Sequence, residues 1–183
     1  QEDIYAIIAY IRTLKPVEYT APKSTSAFPM NFIINTIPHP ALFTTRPPQE
    51  DLIKYCEYIA NAAVCMDCHT QQIKGEYLMD KYMAGGFEFP MATGGIVRSA
   101  NITPDKKTGI GNWTEEQFLA RFKQYSDSTY SPPAINPGEF NSMMPWGYYT
   151  HMKDEDLKAL FAYLKTINPI ENMVIKFDPP KTQ

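Results

Sequence analysis

No stretch of the 183-residue chain is apolar for long enough to span a bilayer. A cationic surplus is also missing: the formal net charge is −3, so no basic field exists to gather nucleic acid or anionic lipid. Nor is the acidic excess large enough for a solvating, disordered chain. Glycine is scarce beside proline, 9 against 16, which favours long stiffened connections over many tight turns. Three cysteines are too few for a disulfide framework. Gln1 opens the sequence with no basic-then-apolar leader behind it, so an export signal is expected outside these residues. What remains is a globular composition, 44% hydrophobic, 20% charged and 13% aromatic. Its length suits one domain plus extras, or two small domains.

Two amphipathic helices stand near the ends. Ile4, Ile7, Ile8, Ile11 and Leu14 form one apolar stripe, and Leu157, Leu160, Phe161, Leu164 and Ile167 form another. Acidic residues open each helix, where the helix dipole favours them, and Pro16 or Pro169 closes it. A single offset of 153 residues superposes the stripes and also matches Glu2, Asp3, Ala6, Ala9, Tyr10, Thr13 and Pro16 with identical residues. Agreement off the stripe points to a domain-scale repeat. Residues 1–16 are therefore expected to be the closing helix of a preceding domain that lies mostly outside this sequence.

Residues 17–50 carry Pro22, Pro29, Pro38, Pro40, Pro47 and Pro48 and read as an extended linker. Its middle, Phe28 to Ile34, is too apolar for a free tether and is expected to run along a domain surface or a partner. A second domain then spans 51–170, followed by a tail at 171–183. It opens with a helix around Asp51–Ala63 that places Leu52, Cys56 and Ile59 on one face. Cys56 reads as a small apolar packing residue there. Thr114 and Gln117 form a capping box ahead of Phe118, Leu119 and Phe122. Gly85-Gly86, Gly94-Gly95 and Gly109-Ile110-Gly111 read as loops, so the expected fold is all-α with long irregular segments.

Chemistry concentrates at Cys65-Met66-Asp67-Cys68-His69, the pattern of covalent c-type haem attachment. Two thiols three positions apart can each add across one vinyl group of a porphyrin, and the next residue brings an imidazole to the iron. A zinc site would need further ligands, and only Cys56, His39 and His151 remain, none in a partner motif. A thioredoxin-like dithiol belongs beside a βαβ pattern, which the sequence does not show. The expected cofactor is one haem c.

The sixth iron ligand separates a closed electron carrier from an open, ligand-binding haem. Nine methionines compete for it. Met144 stands out because it precedes Pro145 just ahead of the last helix, with Met143 and His151 as rivals. Met79, Met83 and Met173 read as core filler.

Residues 51–170 resemble the class I c-type cytochrome domains in the multihaem subunits of membrane-bound alcohol and gluconate dehydrogenases. Three segments carry the resemblance, in the family's order. They are Cys65–His69; Ala100-Asn101-Ile102-Thr103-Pro104-Asp105 with Thr108 to Trp113; and Met144-Pro145-Trp146 followed by Met152 to Leu157. The resemblance implies a class I cytochrome c fold, several haem domains in a row, and Met144 as the axial methionine. Tyr125 to Ser142 is longer than the matching segment of that family.

The ring of His69 is expected to donate its other N–H to a backbone carbonyl, with Pro90 and Pro104 as candidates. Arg98 and Trp113 are candidate donors to the haem propionates. Tyr148 and Tyr149 carry no assigned role. The expected function is one-electron transfer rather than catalysis, as one relay of a multihaem respiratory or dehydrogenase cytochrome. Expected partners are redox proteins (a dehydrogenase, a quinol-oxidising complex or a terminal oxidase), with no nucleic acid. Further haem domains and association with a membrane complex are also expected. Haem c attachment places the chain in the periplasm. Rival readings are a haem enzyme or a gas or peroxide sensor with an open iron site, and a docking module of a larger respiratory complex.

Overall fold

The computed structural model describes residues 1–92 and 94–180. The chain divides into two compact units, Gln1–Arg46 and Pro47–Gln183. In the first, helix α1 spans Glu2–Thr13 and the short α2 spans Met30–Ile33, with no buried residue in either. The apolar stripe of α1 faces no partner within this unit, with Ile7 58% and Ile11 56% exposed. The apolar middle of the proline-rich stretch is thus not extended throughout, because Met30 to Ile33 close one helical turn.

The second unit begins with α3 (Leu52–Ala62), followed by the single turn α4 (Cys65–His69). After irregular chain come α5 (Glu115–Lys123), the short α6 (Trp146–Tyr149) and α7 (Asp154–Thr166). Helix α5 starts where Thr114 and Gln117 satisfy each other's backbone N–H groups in a capping box. Helices α3, α5 and α7 share one core. Tyr55, Cys56, Ile59 and Ala60 meet Phe118 and Phe122, and all six pack with Leu157, Leu160, Phe161 and Leu164. Leu52 instead lies exposed at the start of α3. Phe118 sits 5.0 Å from Phe122 and 5.1 Å from Phe161, centroid to centroid. Each fully buried leucine of α7 contributes about 1.5–3 kcal/mol by leaving water, so this stripe anchors the unit. The Tyr55 hydroxyl also donates to Asp156 at 2.6 Å, tying α3 to α7.

The all-α expectation holds in part, because the mainly helical fold also carries short strands. Among the described residues, β1 (Gln72–Ile73) pairs antiparallel with β2 (Glu76–Tyr77). A separate antiparallel sheet has the order β3 (Glu88–Pro90), β4 (Ile96–Arg98), β5 (Phe177–Asp178). Phe89 stands opposite Val97, and Val97 opposite Phe177. Gly94 and Gly95, at φ +88° and +83°, turn the chain between β3 and β4. Strands of two or three residues are too short to show an alternating pattern, which is why only their glycines were legible.

Candidate functional site

Helix α3 ends at Ala62, and Val64 takes a left-handed conformation at φ 56° before α4 begins. A β-branched residue there is strained, at a cost of order 1–3 kcal/mol. The benefit is a break that starts a new turn at Cys65. In one helical turn, positions i, i+3 and i+4 share a face. Cys65, Cys68 and His69 occupy those positions.

The His69 ring is fixed from behind. Its Nδ1–H donates to the carbonyl of Ala100 at 2.7 Å, so the expectation of Pro90 or Pro104 in this role is corrected. Among the described residues Nε2 makes no hydrogen bond, which leaves it available as a ligand atom. Burial lowers the histidine pKa, and the bond to Ala100 partly offsets this. The ring is therefore held neutral, in the form that ligates iron.

Two features bring the Ala100 carbonyl to that point. Gly85 donates its N–H to the His69 carbonyl at 2.7 Å, at φ +72°. A Cβ there would strike the carbonyl group of Ala100. Next to Ala100, the buried Asn101 uses its whole amide. Its Nδ2 donates to Thr108 Oγ1 at 2.9 Å and to the Ile170 carbonyl at 2.8 Å. Its Oδ1 accepts from the Thr103 N–H at 2.9 Å and the Thr103 hydroxyl at 2.8 Å. A fully satisfied buried amide is rigidifying. The Ala100–Asp105 segment is therefore a brace for His69.

The cysteines are unpaired as thiols, Cys65 half-buried and Cys68 exposed. Burial pushes the Cys65 thiol up to about 11. Burial and, behind it, the Asp67 carboxylate push Cys68 up as well. Redox-active dithiols have the opposite bias, toward thiolate. Among the described residues no group of three or more His, Cys, Asp or Glu side chains converges.

The candidate sixth ligands separate by position. Met144 is half-buried against the helical core, in the same set of packed residues as Cys65, Trp146 and Tyr149. Met143 is 48% exposed, and His151 is exposed. Of the methionines read as core filler, Met83 is buried at 1% whereas Met79 and Met173 are exposed. The Tyr149 hydroxyl donates to the Ala63 carbonyl at 2.6 Å, joining the Met144 segment to the residues just ahead of Cys65.

Arg98 is committed elsewhere. Its guanidinium donates to Glu88 at 2.9 Å, to Asp178 at 2.7 Å and to the Ile175 carbonyl at 3.1 Å, clasping β3, β4 and β5. Trp113 lies at the surface after the Gly109–Gly111 turn, its backbone N–H donating to the Ile110 carbonyl. Sequence reasoning missed Ala100, Gly85, Asn101 and Tyr149. Of these only the Ala100–Asp105 segment carried a signal, as a family mark without a physical role. The cysteine thiols, a free imidazole nitrogen and a half-buried thioether form a donor set that fits a covalent haem. The residues that would hold it are Cys65, Cys68, His69 and Met144.

A model of the cytochrome c family matches residues 57–168. The chain is 37% identical over 129 residues to the fructose dehydrogenase cytochrome subunit of Gluconobacter japonicus, covering 69% of this chain and 22% of that protein. It is 39% identical over 113 residues to the gluconate 2-dehydrogenase cytochrome c subunit of Pantoea cypripedii, covering 61% and 22%. It is 34% identical over 116 residues to the cytochrome c subunit of the alcohol dehydrogenase (quinone) of Gluconobacter oxydans (strain 621H), covering 62% and 21%. The chain thus spans about a fifth of the length of these relatives.

Proposed function

The chain belongs to the cytochrome c family, and from that premise we propose that it is a one-electron relay built on a single haem c. Cys65 and Cys68 hold the haem by thioether bonds, and His69 and Met144 ligate its iron. The observation that carries this reading is the shared face of Cys65, Cys68 and His69 on one helical turn, with His69 braced by Ala100 at 2.7 Å.

The haem supplies the reversible one-electron chemistry; the protein sets its potential, burial and docking. Each surrounding residue has a definite task. The Ala100 carbonyl accepts the hydrogen bond from His69 Nδ1–H, which orients the ring and would raise its basicity toward the metal. Met144, half-buried against the helical core, would supply a thioether as the second iron ligand. With His69 and Met144 both as ligands, the haem would pass electrons rather than bind a substrate.

The chain is one relay of a longer multihaem cytochrome in the periplasm, serving a membrane-associated dehydrogenase. The names of the relatives support a dehydrogenase as redox partner. The exposed stripe of α1, which repeats the buried stripe of α7, supports a neighbouring domain of the same kind. No helix among the described residues is long and apolar enough to cross a membrane.

Intact mass of the denatured protein tests the attachment: one haem should remain bound, and Cys65→Ala with Cys68→Ala should lose it. The ferric spectrum tests the ligand. Met144→Ala should abolish the weak red-end band of methionine-ligated haem. An unchanged band in Met144→Ala, or covalent haem surviving loss of both cysteines, would sink the assignment.

A further inference from the structure

The segment between α5 and α6 holds Met144 by an arrangement that the attachment chemistry does not require. Ser142 Oγ accepts two hydrogen bonds, from the Met144 N–H at 3.2 Å and from the Trp146 indole Nε1–H at 3.2 Å. Both lone pairs of the hydroxyl are thereby used. The Met144 carbonyl accepts the Trp146 N–H at 2.8 Å, so both backbone groups of Met144 are occupied within five residues. Pro145 stands between them with φ −80° and no donor of its own.

Trp146 is itself held by α5. The Arg121 guanidinium lies 4.1 Å from the indole centroid, within cation–π range. The Tyr125 ring stacks on the indole at 5.3 Å and 15°, and the buried Phe122 meets it edge-on at 5.3 Å. The indole cannot turn without breaking these contacts, so its Nε1–H is aimed at Ser142 by the core.

We propose that Ser142 is a positioning residue for the haem iron's methionine ligand, transmitting the rigidity of the α5–Trp146 packing to Met144. The inference rests on the reading of Met144 as that ligand. Loss of the clamp leaves the thioether in place on average but lets it leave more often. The sixth position then opens to competitors without the domain unfolding.

The test is a titration of the ferric holoprotein with imidazole, which competes for the sixth position, followed by the red-end band. Ser142→Ala should bind imidazole roughly five- to tenfold more tightly than wild type, the fold-change expected for losing the one of its two hydrogen bonds that reaches Met144 itself. Trp146→Phe keeps the ring but removes the donor and should move the same way by a smaller factor. Ser142→Thr keeps the oxygen and should restore wild-type affinity. A role in folding alone would lower the melting temperature and leave imidazole affinity unchanged. That outcome in Ser142→Ala, or in Trp146→Phe should the alanine variant not fold, overturns the proposal. Met144→Ala in the same titration separates the premise: if it retains the band and wild-type affinity, Met144 is not the ligand, whatever Ser142 does.

Discussion

The Tyr149 hydroxyl donates to the Ala63 carbonyl at 2.6 Å across 86 residues of sequence. That bond joins the two halves of the candidate site, since Ala63 lies two residues ahead of Cys65 and Tyr149 five beyond Met144. It also gives a carbonyl at the end of α3 a donor where Val64 breaks the helix. Nothing in the spacing of the two residues announces it.

Tyr149→Phe should therefore destabilise the domain by about 1–3 kcal/mol, the penalty for a carbonyl left without its partner. Thermal unfolding of the holoprotein checks this, with a lower midpoint expected. If the midpoint is unchanged, water has replaced the hydroxyl and the link is not structural.

Gly85 is constrained twice, by its positive φ of +72° and by the Ala100 carbonyl where a Cβ would stand. Gly85→Ala should cost about 1–3 kcal/mol in backbone strain alone. A second effect is diagnostic. Displacing Ala100 weakens its hydrogen bond to His69, making the imidazole a poorer donor to iron and raising the reduction potential. A destabilised variant with an unaltered potential would show that Ala100 does not tune the ligand.

The Cys65–His69 segment, the three core helices and the Thr114 cap were readable because each is local. A five-residue motif, a stripe of period 3.6 and a capping box need no knowledge of what lies across the fold. The brace behind His69 was not readable, because its acceptor is a main-chain carbonyl and any residue could supply one. Pro90 and Pro104 were plausible by sequence; Ala100 lies where Gly85 lets it approach and next to the braced Asn101. The sheet escaped for a different reason. Its third strand, Phe177–Asp178, lies in the segment expected to be a tail and pairs with residues about 80 positions earlier.

Asp105 sets an acid limit on the brace. Its carboxylate accepts from the Thr108 hydroxyl and the Thr108 N–H, each at 2.7 Å, and these bonds hold its pKa below the ordinary carboxylate value. A folded pKa below the unfolded one means stability that is fully present above the unfolded value, about 3.9. It is lost as pH falls through the folded pKa. Asp105→Asn keeps an acceptor but removes the charge. Melting temperatures of wild type and variant should differ at neutral pH and converge at strongly acid pH. A difference that stays constant with pH would mean the charge is not what matters.

Arg98 offers the sharpest separation between two tasks for one side chain. A guanidinium serving a haem propionate tunes the potential, because it stabilises negative charge beside the iron. One that clasps β3 to β5 affects only the closing of the C-terminal segment. The observed bonds to Glu88, Asp178 and the Ile175 carbonyl favour the clasp. The Asp178 pKa is lowered by its hydrogen bond from Arg98, so the pair is formed in the charged state. Arg98→Gln removes the charge and most of the fork, leaving β5 with the short backbone ladder to β4 and the edge-on contact of Phe177 with Phe140. Limited proteolysis should then cut within residues 171–180 faster than in wild type, while the reduction potential stays where it was. A shifted potential with unaltered proteolysis would return Arg98 to the propionates and leave the strand held by its backbone ladder and the Phe140–Phe177 contact.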